Sequence, residues 1–303
     1  MCHTYKLMKI LITGAAGFIG FHLSKKLIQS KYEVFGIDNL DNYYDVNLKK
    51  NRIKELKQYK NFCFKKIDIN QKKKINNLVV SNKIKYIIHL AAQAGVRYSI
   101  TNPKIYFQSN LEGFFNILEI SKLNKIKHLI FASSSSVYGD DNKFPLKEDM
   151  NTDKPLSFYA ATKKSNEIMA YSYANIYNLP STAIRFFTVY GPFGRPDMSL
   201  FKFTKKIYKN EKISLFNKGD HIRDFTYIDD VVRGVFSIIK KPSKNKIPYN
   251  CFNIGNGKPD KLINFIKLIE KQLGKKAKSK KISLQIGDVR KTHADISSLS
   301  KSQ

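Results

Sequence analysis

At 303 residues the chain can bury one large core or two modest ones, and its 42% hydrophobic content fits a folded protein, not a disordered one. The formal charge of +30 would ordinarily suggest nucleic-acid binding, but only seven of the 54 basic residues are Arg and the Lys are scattered, so the expectation is a solvated basic surface without a nucleic-acid partner. No apolar run spans a bilayer and nothing near the start reads as a signal peptide; Cys2, Cys63 and Cys251 form no Cys-x-x-Cys pair, so no metal site or disulfide framework is expected and the cytoplasm is the default location.

Residues 8–13 predict a short buried strand, with the seven residues ahead of Met8 dispensable and Met8 a candidate start. A helix is expected over 18–29, where Ile19, Leu23, Leu27 and Ile28 are apolar, then a strand over 33–37 ending at Asp38. A basic helix over 48–58, a strand over 62–67 ending at Asp68, and an apolar strand over 85–91 follow. Next come a helix over 111–121, a strand over 128–132 feeding a serine run, and a helix that carries Tyr159 and Lys163 and continues to 177. Beyond these lie a strand over 181–187, a Gly/Pro loop over 191–197, helices over 201–208 and 261–273, and a Lys/Pro linker over 240–248. Strands alternating with helices at this spacing predict an α/β fold built on a doubly wound parallel sheet.

Gly14, Gly17 and Gly20 lie between the first strand and the first helix, where backbone N–H groups and a helix N-terminus suit a pyrophosphate. Their spacing is Gly-x-x-Gly-x-x-Gly, which differs from the standard dinucleotide fingerprint in its first interval. Asp38 ends the next strand, where an acid accepts from a ribose diol and repels the extra phosphate of NADP, so NAD is the expected cofactor. Asp68 is placed for the adenine edge. Phe18 and Ile19 in the turn, Asn39 after Asp38, Ile69 after Asp68, and Leu90, Ala91 and Ala92 after the fourth strand complete the expected cofactor contacts.

Tyr159 and Lys163 stand one helical turn apart and share a helix face. A phenol with an ordinary pKa of about 10 needs roughly 4 kcal/mol of help to act as a base near pH 7, and positive charge nearby supplies it. Ser134, at the end of its strand, has a hydroxyl suited to bridge a substrate oxygen and Tyr159. Glycine turn, serine run and Tyr-x-x-x-Lys in that order predict hydride chemistry at a carbinol carbon, with Ser134, Tyr159 and Lys163 as its catalytic residues.

With these motifs the chain resembles the extended short-chain dehydrogenase/reductase family, and within it the UDP-glucuronate 4-epimerases. The closer likeness lies in residues 38–49, 89–99 and 185–198, and the resemblance runs from Lys9 to Asp295. It implies a Rossmann domain over 8–185 and a smaller, mainly substrate-binding domain over 186–303, with segments near 221–254 returning to the first. It also implies 4-epimerisation of UDP-glucuronate through a transient 4-keto sugar, with Arg223 on the diphosphate and Asp288 near the nucleotide. Related dehydratases carry an Asp-Glu pair after the catalytic Ser/Thr, and related decarboxylases a Glu nearby; here Ser135 and Ser136 stand instead. With Thr188 they are the expected holders of the sugar carboxylate, and Arg97 and Arg195 its possible charge partners. Family members usually pair through a four-helix interface, so a homodimer is expected. Relatives also continue past residue 295 with a further helical segment, so the C-terminal end reads as shortened. The alternatives are a 4-epimerase for a neutral UDP-hexose such as UDP-glucose, and a non-catalytic Rossmann protein that senses NAD or binds nucleic acid.

Overall fold

β1 (Lys9–Thr13) is apolar on both faces and is buried at four of its five positions, the pattern of a strand covered by helices on each side. The computed structural model describes residues 8–140 and 143–302; the seven residues before Met8, read above as dispensable, lie outside it. The remaining strands of the main sheet are β2 (Glu33–Asp38), β3 (Phe62–Lys66), β4 (Tyr86–His89), β5 (His128–Ser134), β6 (Ser181–Phe186) and a last strand at Tyr249–Ile254. Their order across the sheet is Tyr249–Ile254, β6, β5, β4, β1, β2, β3, and every pairing is parallel. Strand order reverses between β1 and β4. The crevice outside their carboxyl ends is therefore the expected ligand position in an open parallel sheet.

Helices cover both faces, as parallel crossovers require. On one face, α1 (Phe18–Gln29) and α2 (Val46–Leu56) join the helix Ile228–Ile238 in a core that includes Leu23, Leu27, Leu56, Val231 and Val235. On the other, α3 (Lys72–Asn82) and the helices Gly113–Leu123 and Phe158–Tyr177 bury Ile75, Leu78, Phe114, Ile117 and Ala170 against the sheet. A separate cluster of Phe203, Ile207, Ile213, Phe225, Leu262 and Ile266 gathers the helices Ser199–Tyr208 and Leu262–Leu273 beyond the strand ends.

Two irregular features position the crevice. A π-helical turn at Phe107–Glu112 precedes Gly113 and aims Asn110 inward, 1% exposed. Its side chain donates to Gln93 O and Thr162 Oγ1 (both 3.0 Å) and accepts from Gln93 N (2.8 Å), tying the loop after β4 to the helix of Tyr159. Deeper in the sheet, Arg185 of β6 forks onto Glu167 at 2.9 and 2.8 Å, and the Ser133 hydroxyl donates to the same carboxylate at 2.6 Å. Both members of this pair are buried. Removing one charge from such a pair strands the other and costs about 3–5 kcal/mol. Glu167→Gln is therefore expected to lose about 3 kcal/mol or more in denaturant unfolding, and a loss under about 1 kcal/mol would show that Arg185 finds another partner.

Candidate active site

Each candidate residue named from the sequence lines a single cleft of about 910 Å³ above the carboxyl ends of β1, β2, β4, β5 and β6. That volume lies near the upper end for small-molecule sites, as two ligands side by side require.

The cofactor end starts at Gly14, which has φ +72° and whose absent Cβ would stand 2.7 Å from Ala91 N. A side chain here would both strain the backbone and push the turn off the strand end. Gly20 faces the Gly14 carbonyl oxygen so closely that a Cβ would collide with it. The turn thus closes with its backbone bare towards the cleft. Thr13 holds the opposite wall: its hydroxyl meets His89 Nδ1 at 2.8 Å and accepts from Ala91 N at 3.1 Å. Asp38 Oδ2 accepts from Ala16 N (3.1 Å) and Oδ1 from Leu40 N (2.8 Å), which leaves each oxygen a further lone pair for a ribose hydroxyl. Burial raises the Asp38 pKa, and those two N–H groups, Lys49 and Arg52 oppose the rise. Asn39 donates to Asp68 Oδ2 at 2.8 Å, and Ile69 supplies an apolar floor beside it. Bare turn, ribose acid and Asn39–Asp68 edge fit a dinucleotide with an unphosphorylated ribose.

At the centre, Ser157 caps the helix Phe158–Tyr177 by accepting from Ala160 N at 3.1 Å, which fixes where Tyr159 enters the cleft. Burial pushes the Tyr159 phenol above its ordinary value; a hydrogen bond with Ser134 and the charge of Arg195 pull it back. Lys163 points to the end of β5, where Nζ donates to Ala132 O at 2.9 Å. Burial lowers its pKa from 10.5 to about 8. The sequence reading looked for that help to Lys163 and the cationic nicotinamide ring; Arg195 is a further cation whose charge bears on the phenol. Ser134 Oγ donates to Ser136 Oγ at 3.1 Å and accepts from Ser136 N at 3.2 Å, so the serine run forms a compact 3₁₀ turn facing the phenol. Thr188 lines the same space.

The outer end is held by arginines. Arg195 grips Asp197 through Nε (3.0 Å) and Nη2 (2.5 Å), and Tyr43 Oη donates to Asp197 at 3.3 Å. Arg97 pairs with Asp288 at 2.8 Å and lies over the Phe216 ring, 4.2 Å from its centroid. Arg223 reaches neither Asp220 nor Asp224; it donates to the carbonyls of Ile222, Arg290 and Val289 at 3.0, 2.9 and 2.6 Å. No group of three His, Cys, Asp or Glu side chains among the described residues is arranged to hold a metal ion.

The profile of the NAD dependent epimerase/dehydratase family matches residues 10–255. The chain belongs to this family. It is 49% identical to Protein CapI of Staphylococcus aureus, covering 96% of this chain and 91% of that protein. It is 44% identical to the UDP-glucuronate 4-epimerase of Thermodesulfobacterium geofontis, over 96% of this chain and 88% of that one. The crystal structure of the Bacillus cereus UDP-glucuronic acid 4-epimerase in complex with UDP-glucuronic acid and NAD superposes with a TM-score of 0.91 at 36% identity, covering 97% of this chain and 92% of that chain.

For this NAD-dependent epimerase, sequence reasoning passed over Tyr43, Asp197, Asn110 and Arg52. The first two sit inside segments that carried the family likeness, yet only three-dimensional proximity joins Tyr43 to Asp197. Asn110 depends on a π-helical turn that periodicity does not reveal. Lys163 yields a prediction with a defined sign. Below about pH 8 it is charged in both the folded and unfolded chain, and its burial opposes folding. Between about pH 8 and 10.5 the unfolded chain binds more protons, so stability rises with pH. In protein stripped of dinucleotide, Lys163→Met is expected to gain about 2 kcal/mol at pH 7 after allowing for the lost bond to Ala132, with the gain shrinking as pH rises to 10. Denaturant titrations at both pH values check this; a pH-independent loss would contradict it.

Proposed function

We propose that this chain interconverts UDP-glucuronate and UDP-galacturonate by 4-epimerisation. The observation that carries the reading is the set of short hydroxyls around the phenol. Ser134, Ser135 and Ser136 leave β5 towards Tyr159, and Thr188 faces the same space, with no Asp or Glu in the run. NAD, when bound, supplies reversible hydride acceptance at the sugar C4. Tyr159 Oη takes the C4 hydroxyl proton and gives it back to the same oxygen once the keto sugar has turned, so that C4 regains its hydride on the opposite face. Ser134 Oγ orients the same oxygen through its bond to the phenol. Arg195 offsets part of the penalty that burial places on the phenolate.

A 4-keto uronate is a β-keto acid and loses carbon dioxide readily. An enzyme that only epimerises must keep the carboxylate from aligning for that loss and must lack a general acid for elimination. Ser135, Ser136 and Thr188 supply donors without acidity. Arg195 and Arg97 are committed to Asp197 and Asp288, so the hydroxyls carry the carboxylate and the arginines shape the cleft. Arg223, with its remaining donor capacity towards the cleft, serves the diphosphate, and Asp288 the nucleotide end. A neutral-hexose epimerase would have no need of this cluster of hydroxyls.

Residues 8–185 form the cofactor domain and 186–303 mainly the substrate domain, with segments near 221–254 returning to the first. In support, the strand Tyr249–Ile254 joins the first sheet, the helix Ile228–Ile238 packs in its core, and the Phe203–Ile266 cluster stands apart. The enzyme pairs with a second copy through the helices Gly113–Leu123 and Phe158–Tyr177, where Phe115, Ile168, Tyr171, Ile176 and Tyr177 are exposed. Sedimentation is expected to give twice 34.9 kDa, and Ile168→Glu to give the monomer; a monomeric wild type would contradict the pairing.

Incubation with UDP-glucuronate, followed by NMR, is expected to show the 4-epimer without release of carbon dioxide. Conversion of UDP-glucose but not of the acid would contradict the substrate assignment. Tyr159→Phe is expected to lower turnover by at least about 10³-fold while NAD stays bound. Loss of NAD in that variant would point to a folding role.

A further inference from the structure

Arg52 is 0% exposed, yet it belongs to a helix, α2, whose other basic side chains face solvent or the cofactor cleft. Its guanidinium touches three separate segments. Nη1 donates to Ala16 O in the glycine turn (2.8 Å) and to Tyr44 Oη after β2 (2.8 Å). Nη2 donates to Phe193 O (2.5 Å) and Gly194 O (3.4 Å). Nε has no partner among the described residues. All its hydrogen bonding is thus concentrated on the two terminal nitrogens, each aimed at a different loop.

The loop so held leads directly to the phenol. Gly191 and Phe193 have positive φ (+147° and +53°), so the backbone here is bent and needs external support to keep one shape. Phe193 rests on Phe21 of α1, and His22 Nε2 meets Pro192 O at 2.9 Å. Two residues on, Arg195 grips Asp197 and acts on Tyr159. On the opposite side, Ala16, whose carbonyl Arg52 touches, donates its own N–H to Asp38, the ribose acid. A continuous set of contacts therefore runs from Asp38 through Ala16, Arg52 and Phe193 to Arg195.

We propose that Arg52 is a positioning residue: its guanidinium fork ties the loop carrying Arg195 to the dinucleotide turn, so that the substrate side of the cleft is set by the cofactor side. This inference rests on the reaction assigned above. A buried Lys has the charge but is a point donor, and cannot bridge carbonyls on two loops as a planar fork does. Arg52→Ala would strand those carbonyls beside a cavity and is expected to fold poorly. Arg52→Lys keeps the stem and the charge and is the informative variant.

In NAD-loaded enzyme, Arg52→Lys is expected to melt cooperatively, retain NAD, and lose about 10-fold or more in kcat. Calorimetric titration in a Tyr159→Phe background reads the coupling without turnover. There Arg52→Lys is expected to weaken UDP-glucuronate at least about 5-fold and UDP less than about 2-fold, because only the sugar end meets the displaced loop. In an Arg195→Lys background, adding Arg52→Lys is expected to change kcat less than about 2-fold, as coupled residues are not additive. Multiplying effects in the double variant, equal weakening of UDP and UDP-glucuronate, or wild-type kcat in Arg52→Lys would each overturn the proposal. Absence of wild-type conversion of UDP-glucuronate would instead overturn the reaction assignment, and the titrations would still decide the coupling.

Discussion

A phenol that acts as a base near neutral pH must be held where water cannot reach it freely and yet kept close to positive charge. These demands conflict, because burial by itself favours the neutral phenol. The architecture eases the conflict by placing Tyr159 in the middle of a cleft into which a cation reaches from outside its own helix, although burial still holds the phenol above its ordinary value. Arg195 arrives from the loop after residues 188–190, and the dinucleotide site opens on the side of β1 and β4. Lys163 is charged at pH 7 but is bound to the Ala132 carbonyl at the strand end, where it faces the cofactor side of the cleft.

Arginine is scarce here, and five of the seven are spent where a planar fork is needed. Arg185 satisfies Glu167 inside the sheet, Arg195 grips Asp197, Arg97 meets Asp288, Arg223 gathers carbonyls from residues 289 and 290, and Arg52 bridges two loops. All but Arg195, whose partner Asp197 is two residues on, join segments set apart in the sequence. The many Lys are mostly peripheral, which fits a charge of +30 that reflects a solvated surface. The cleft is thus cross-braced by guanidinium groups, and its shape depends on contacts that span nearly 200 positions in the chain, as between Arg97 and Asp288.

Much of this was legible in the sequence because the cofactor half is local. The glycine turn, Asp38, the serine run and Tyr159–Lys163 each lie at a strand end or the start of a helix, and strand order carries them to one edge. Helix α3 was harder to see because its first turn is Lys72-Lys73-Lys74 and only Ile75, Leu78 and Val79 reach the core. The helix Ile228–Ile238 has the right spacing, with Ile228, Val231, Val232 and Val235 buried, but it opens on Asp229 and Asp230, which resemble a loop until the helix dipole is considered. The strand Tyr249–Ile254 follows a Lys/Pro linker and pairs with β6, a contact that no local pattern announces. Asn110 and Arg52 were illegible for a similar reason: most of their partners are remote peptide groups, which leave no side-chain signature.

The ionisation of Tyr159 itself is the most direct test. Ultraviolet difference titration of NAD-loaded protein against its Tyr159→Phe variant isolates that one phenol from the other tyrosines. A single tyrosinate signal that is present in the wild type, absent from the variant and moved to lower pH when NAD is bound is the expected result. Superimposable titration curves up to about pH 10 would mean that the phenol keeps its proton, and would contradict its role as the base.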